Sequence, residues 1–130
     1  MKLTNNFSKS EFECKCGCDM PISVLDNVKL LAIQLQTIRD YVKQPIKINS
    51  AYRCEVHNSL IGGSKRSQHK LGKASDITIN TFTPNEVVDV VNNLLTNEML
   101  GYFYIGGIGR YNTFTHLDIR DYKARWDNRK

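Results

Sequence analysis

Two short stretches of the chain place carboxylates and imidazoles where they could hold a metal ion. In residues 74–79, Ala74, Asp76 and Thr78 alternate with Ile77 and Ile79; in residues 113–119, Phe114, His116 and Asp118 alternate with Leu117 and Ile119. Successive side chains of a β-strand point to opposite faces, so each stretch has an oily side and a titratable side. If the isoleucines and Leu117 pack beneath helices, Asp76, His116 and Asp118 share the other face. His69, on the loop that delivers the first strand, can swing over the same point. Two neutral imidazoles and one carboxylate form a nitrogen/oxygen set that suits Zn2+ with its fourth position open to water. Taken singly, a His or Asp in a strand is more often a surface group or a satisfied hydrogen-bonder, so the surrounding pattern has to carry the argument.

The elements that would position these residues are legible as periodicities. Val24, Val28, Leu31, Leu35, Ile38 and Val42 recur in steps of three and four and predict a helix over about 24–42, capped by Ser23 with Asp26 in its first turn. Thr83-Pro84-Asn85-Glu86 announces a second helix, with Thr83 as cap, Pro84 at the first helical position and Glu86 closing a capping box; its buried stripe is Val87, Val88, Val91, Leu94 and Leu95. Ser8 and Glu11 repeat the box spacing at an N-terminal turn. Strands are expected at 46–49, 74–79, 101–105 and 113–119. The resulting fold class is α+β: a small, mainly antiparallel sheet with helices on one face and the zinc cleft on the other. Residues 50–73 hold no sustained pattern but carry Gly62, Gly63, Gly72 and two of the 3 histidines. Long irregular loops in compact domains are usually functional.

The run Ser50-Ala51-Tyr52-Arg53-Cys54, then His57-Asn58, Gly62-Gly63, Ser67-Gln68-His69, Gly72, Ala74 and Asp76-Ile77, and far downstream His116-Leu117-Asp118, resembles the zinc D-Ala-D-Ala carboxypeptidase family, which includes phage endolysins that cut peptidoglycan stem peptides. That family's signature reads S-G-Y-R, then S-x-H-x-x-G-x-A-x-D, then a last zinc-binding His on a strand, and the likeness spans about Phe12 to Trp126. The resemblance implies that His69, Asp76 and His116 are zinc ligands, that Arg53 polarises the scissile carbonyl, and that Ser67 hydrogen-bonds substrate beside the site. It further implies a peptidase of peptidoglycan stem peptides, acting on the D-Ala-D-Ala bond or, as an endopeptidase, on another stem-peptide bond. Gly72 would admit close approach of loop to strand.

One position departs from the pattern. Several branches of the family carry a catalytic Glu three residues before the last zinc His, where this chain has Thr113. A general base must then come from elsewhere. Asp118 is the candidate, since it shares the face of His116; its other reading is a carboxylate that orients an imidazole or Arg120. Glu55 and His57 are further possibilities, His57 being better explained as a loop residue. A thiol peptidase built on Cys54 and His57 fits the remaining motif less well than a metal does. Tyr52, Tyr102, Phe103, Tyr104, Tyr111, Phe114 and Trp126 divide between core and cleft wall.

Composition bounds the remaining choices. The chain has 130 residues, 41% hydrophobic and 24% charged, which fits one soluble domain over 1–130 with a core of its own and excludes extended disorder and repeat arrays. A domain of this size needs no disulfide or structural metal merely to fold, so any metal is expected to serve chemistry. A net charge of +5 suits a polyanion, but the basic residues are scattered. The expected partner is the stem peptide, with neither nucleic acid nor membrane, and the domain is expected to act as a monomer. A basic nucleic-acid binder and a non-catalytic zinc-stabilised wall-binding module are the rivals. No secretory signal or membrane-spanning stretch is recognisable, so cytoplasmic synthesis and action on the wall from a phage or prophage gene are expected. Cys14, Cys16 and Cys18 fit poorly with the usual C-x(2–4)-C zinc hook, and no second hook follows. Reduced thiols and a bridge from this cluster to Cys54 both stay open.

Overall fold

A computed structural model describes all of residues 1–130. In chain order the elements are α1 (Ile22–Val42), β1 (Ile46–Ser50), α2 (Glu55–Leu60), β2 (Ala74–Ile79), α3 (Pro84–Thr96), β3 (Gly107–Arg110), β4 (Thr115–Asp118) and β5 (Ala124–Asp127), with 3-10 turns at Lys9–Phe12, Gln68–Leu71 and Glu98–Leu100. The strands form one sheet in the order β1-β2-β4-β3-β5, antiparallel throughout except for the β3–β5 pair. The expected α+β class with a mainly antiparallel sheet is what the chain adopts.

Helix α1 buries Val28, Leu31, Leu35 and Ile38, with Val24 and Val42 packed partly against them, so the apolar stripe lies where its spacing puts it. The helix begins earlier than the expected cap at Ser23. Pro21 holds an extended backbone (φ −61°, ψ 152°) and its carbonyl accepts from the N–H groups of Val24 and Leu25, which closes the first turn without a side-chain cap. Helix α3 starts as expected: Thr83 accepts from the Glu86 N–H and Glu86 accepts from the Thr83 N–H. Both helices share one core with Ile46, Ile48, Ile77, Ile79, Ile108 and Leu117. The opposite side of β2 and β4 is left for the polar face.

Two strand expectations are corrected. Residues 101–105 are not a strand: the Phe103 N–H bonds to the Leu100 carbonyl and the Tyr104 N–H to the Gln34 side chain, so neither joins a ladder, although Phe103 and Ile105 still fill the core. The strand lies just beyond, at Gly107–Arg110. The last one expected, 113–119, is confined to Thr115–Asp118 and is followed by β5, which had no apolar alternation to announce it. The long loop of residues 50–73 holds α2 and the Gln68–Leu71 turn, and the backbone is pinned where Arg53 N–H bonds to the His69 carbonyl.

Candidate metal centre and its cleft

Strand pairing fixes the centre. Asp76 on β2 lies directly across from His116 on β4, and Ala74 across from Asp118, so the parity argument holds in the register itself. His69 reaches the same point from the Gln68–Leu71 turn, which Ser67 caps by accepting from the His69 N–H at 3.2 Å. Gly72 ends that turn in the left-handed region (φ 74°), and a Cβ there would meet Val24, so both conformation and space require glycine. The donor atoms of His69, Asp76 and His116 all lie within 4.8 Å of one another, and all three residues are buried.

The hydrogen bonds around this trio decide where its protons are. His69 Nδ1 is 2.7 Å from the Ala51 carbonyl oxygen, an acceptor, so Nδ1 carries the hydrogen and Nε2 faces inward bare. His116 Nε2 is 2.7 Å from Asp118 Oδ2, a closer acceptor than Asp76 Oδ1 at 3.1 Å, so in the neutral ring Nε2 carries the hydrogen and Nδ1 faces inward bare. These bare nitrogens stand 3.2 and 3.1 Å from Asp76 Oδ1, a third acceptor. Three lone pairs at this range repel unless a cation or proton lies among them. Zinc bonds of about 2.0–2.1 Å at tetrahedral angles separate donors by roughly 3.3 Å, so the residues present fit the ion that such a donor set selects. The same demand for positive charge shifts the titrations. Burial pushes the Asp76 carboxyl up, but the adjoining His116 and His69 rings, which donate to it and attract it when they are protonated in the absence of a metal, outweigh burial and hold the group well below the usual carboxylate range. For His116 burial acts downward, yet Asp118 and Asp76 outweigh it and raise the imidazole above its ordinary value.

Arg53 sits beside the trio. Its Nη2 lies 3.3 Å from Asp76 Oδ2, Nη1 donates to Asn58 Oδ1 at 3.4 Å and Nε to Ser50 Oγ at 3.2 Å. Asn58, buried and also donating to the Ser64 carbonyl, holds the Arg53 guanidinium in place, a contact that spacing alone does not reveal. Its only sequence signal is a polar side chain beside His57 in the matched run.

Asp118 does not stand where a base would. Its side chain is 0% exposed, Oδ1 accepts from the Arg120 N–H and Nε–H, and Oδ2 accepts from Arg120 Nη2 and His116 Nε2. Both oxygens are therefore saturated, and the carboxylate lies behind the imidazole, away from Asp76. Despite burial, the bonds from His116 and Arg120 hold its pKa well below normal, so it neither faces water nor has a tendency to take up a proton. Of the two readings of Asp118, proton acceptor or partner of an imidazole and Arg120, these contacts are those of the second. Glu55 is exposed and paired with Lys70 at 2.7 Å, and Thr113 is exposed. Neither Glu55 nor His57 lines the cleft.

A cleft of about 650 Å³ opens over the trio. Asp76 is the one carboxylate among its lining residues, which include Arg53, Arg66, Arg120 and Ser67, so the cavity is electropositive. One wall is aromatic: the Trp126 ring centroid lies 4.8 Å from that of His116, and Tyr111 stacks on Phe114 at 4.4 Å. Two glycines of β3 make this wall possible. A Cβ on Gly109 would meet Trp126 at 2.5 Å, and one on Gly107 would overlap the Asp118 carboxylate. Of the aromatic residues expected to divide between core and cleft wall, Trp126 lies on the wall.

No helix is long and apolar enough to cross a membrane. Comparison with curated proteins finds no similar sequence. The family comparison is decisive: residues 3–118 match Peptidase M15, the stretch that contains Arg53, His69, Asp76, His116 and Asp118. With most of its length in that match, the chain belongs to the Peptidase M15 family and is a metal-dependent peptidase for peptidoglycan-type substrates.

Proposed function

We propose that the protein is a zinc peptidase of peptidoglycan stem peptides, D-Ala-D-Ala carboxypeptidase-like, working as a single monomeric domain. The observation that carries this reading is the convergence of three bare acceptors beside an arginine at the floor of an electropositive cleft. His69 Nε2, Asp76 Oδ1 and His116 Nδ1 would hold the ion, which when bound supplies a Lewis acid for the scissile carbonyl and acidifies water.

The chain's own residues account for the rest of the proposal. Arg53, held by Ser50, Asn58 and Asp76, has its guanidinium fixed before substrate arrives and stabilises charge developing on the carbonyl oxygen without proton transfer. Asp118 keeps His116 in the tautomer with a bare Nδ1 and raises its basicity as a ligand. Ser67, whose oxygen already accepts from His69, retains its hydroxyl hydrogen to donate to a substrate carbonyl. Arg66 makes no ion pair and lines the cleft, which suits a substrate that ends in a carboxylate and favours the terminal D-Ala-D-Ala bond over an internal one.

Incubation of the zinc-loaded protein with a defined stem pentapeptide, followed by mass spectrometry, tests this. Release of the terminal D-Ala is expected. Cleavage only at an internal bond would make the protein an endopeptidase of the endolysin type, and binding without cleavage a wall-binding module.

A further inference from the structure

The second cluster of metal-capable side chains lies outside the cleft. Cys14, Cys16, Cys18 and Cys54 bring their sulfurs within 4.8 Å of one another, and no pair is bonded. Cys14 Sγ lies 3.3 Å from Cys16 Sγ and 3.8 Å from Cys54 Sγ, with Cys16 Sγ 3.6 Å from Cys54 Sγ. Four thiolates on one tetrahedral zinc, at bonds of about 2.3 Å, stand roughly 3.8 Å apart. The distances are those of ligands around a shared ion.

The local chain explains how alternate cysteines achieve this. In an extended segment residues 14, 16 and 18 would point one way at intervals of roughly 7 Å. Here Gly17 adopts a left-handed conformation (φ 85°) and its N–H bonds to the Cys14 carbonyl at 3.0 Å, so the segment folds back into a cup. A Cβ on Gly17 would meet nothing, which shows that the backbone angle rather than space requires glycine. The fourth sulfur comes from Cys54, the residue preceding α2. Two backbone N–H groups point at the cluster: Cys54 N–H at Cys14 Sγ and His57 N–H at Cys54 Sγ, each 3.4 Å, an arrangement that favours thiolate sulfur.

We propose that Cys14, Cys16, Cys18 and Cys54 form a closed tetrathiolate zinc site that fastens the N-terminal segment to the loop carrying Arg53. A full set of four sulfur ligands leaves no open position, which is the signature of a structural rather than a catalytic ion. The fastening runs in parallel with the bond from Tyr52 N–H to the Phe12 carbonyl, and its anchor, Cys54, adjoins Arg53. The proposal stands independently of the peptidase reading, and it runs against the expectation that any metal in this chain serves chemistry.

The test is zinc content by mass spectrometry of the full chain purified from zinc-supplemented cells, alongside His116→Ala and Cys16→Ser variants. About two ions per chain are expected in the parent protein and about one in each variant. Because a cysteine variant can misfold, the His116→Ala protein is also loaded with Co2+, where the sulfur-to-cobalt charge-transfer absorption of thiolate ligation is expected. About one zinc in the parent and none in His116→Ala would overturn the proposal. So would absence of that absorption, iron in place of zinc, or a parent mass lower by two hydrogens, which marks a disulfide. Loss of peptidase activity with both ions retained would instead count against the stem-peptide reading alone.

Discussion

The two metal-capable clusters differ in their donor atoms, in what supports those atoms and in whether they face the cleft. His69, Asp76 and His116 come from paired strands and a capped turn; each is backed by an outer partner, Ala51, Arg53 or Asp118, and the set opens into a cleft. The four cysteines come from a folded-back segment and a helix start, are backed only by N–H groups, and none lines the cleft. A nitrogen/oxygen set with an elaborate outer shell is tuned for reactivity, whereas an all-sulfur set satisfies the metal and leaves nothing over. The contrast predicts that damage to one should abolish chemistry and damage to the other should loosen the protein.

The largest effect is expected from His69→Ala or His116→Ala, each of which should eliminate turnover of a stem pentapeptide while circular dichroism shows a folded domain. Full activity in either would break the comparison at its stronger end. Next, Arg53→Ala should lower kcat by about 10²–10³-fold with the zinc content unchanged. Asp118→Asn should cost about 10–100-fold, and the loss should appear in zinc affinity measured by chelator competition as well as in turnover. Turnover lost at unaltered zinc affinity would return the base role to Asp118. On the other cluster, Cys54→Ser should lower the melting temperature by about 5 °C or more. A melting temperature equal to the parent's would remove the contrast.

The smallest effect concerns pH and the metal-stripped protein. His116 faces Asp76, Asp118, His69 and Trp126, and its pKa lies above the ordinary 6.5. A raised folded-state pKa contributes stability that is complete below about 6.5 and is lost as pH rises through the folded value. The depressed carboxyls of Asp76 and Asp118 contribute above their ordinary 3.8 and lose that contribution as pH falls through their folded values. Thermal melts in chelator should therefore decline on raising pH above about 6.5, while zinc-loaded protein should not, since protons and metal compete for the same lone pairs.

How far this could be read from sequence depended on whether a residue's partners were local. The Thr83–Glu86 box and the α1 stripe need only neighbours three or four positions away, and both are found where the spacing placed them. Strand parity put Asp76 and His116 on one face because alternation is also a local rule; that they stand directly across from each other is set by the strand pairing. Apart from the Ser23 cap, which the Pro21 carbonyl displaces locally, the failures involve distant partners. Gly107 and Gly109 argue against a strand by propensity, yet they are required because Asp118 and Trp126 occupy the space a Cβ would take. The placement of Asp118 depends on Arg120 saturating its oxygens, and the cysteine cup depends on one left-handed glycine and on a sulfur forty positions from Cys14.

The last strand gives the fold a division of labour. The family match ends at Asp118, while β5 begins at Ala124 and lays Trp126 along the rim of the centre. The three metal-capable side chains thus lie within the matched stretch, and part of the aromatic wall beside them is supplied by a strand beyond it. A change at Trp126 can therefore reshape the mouth of the cleft while leaving His69, Asp76 and His116 in place.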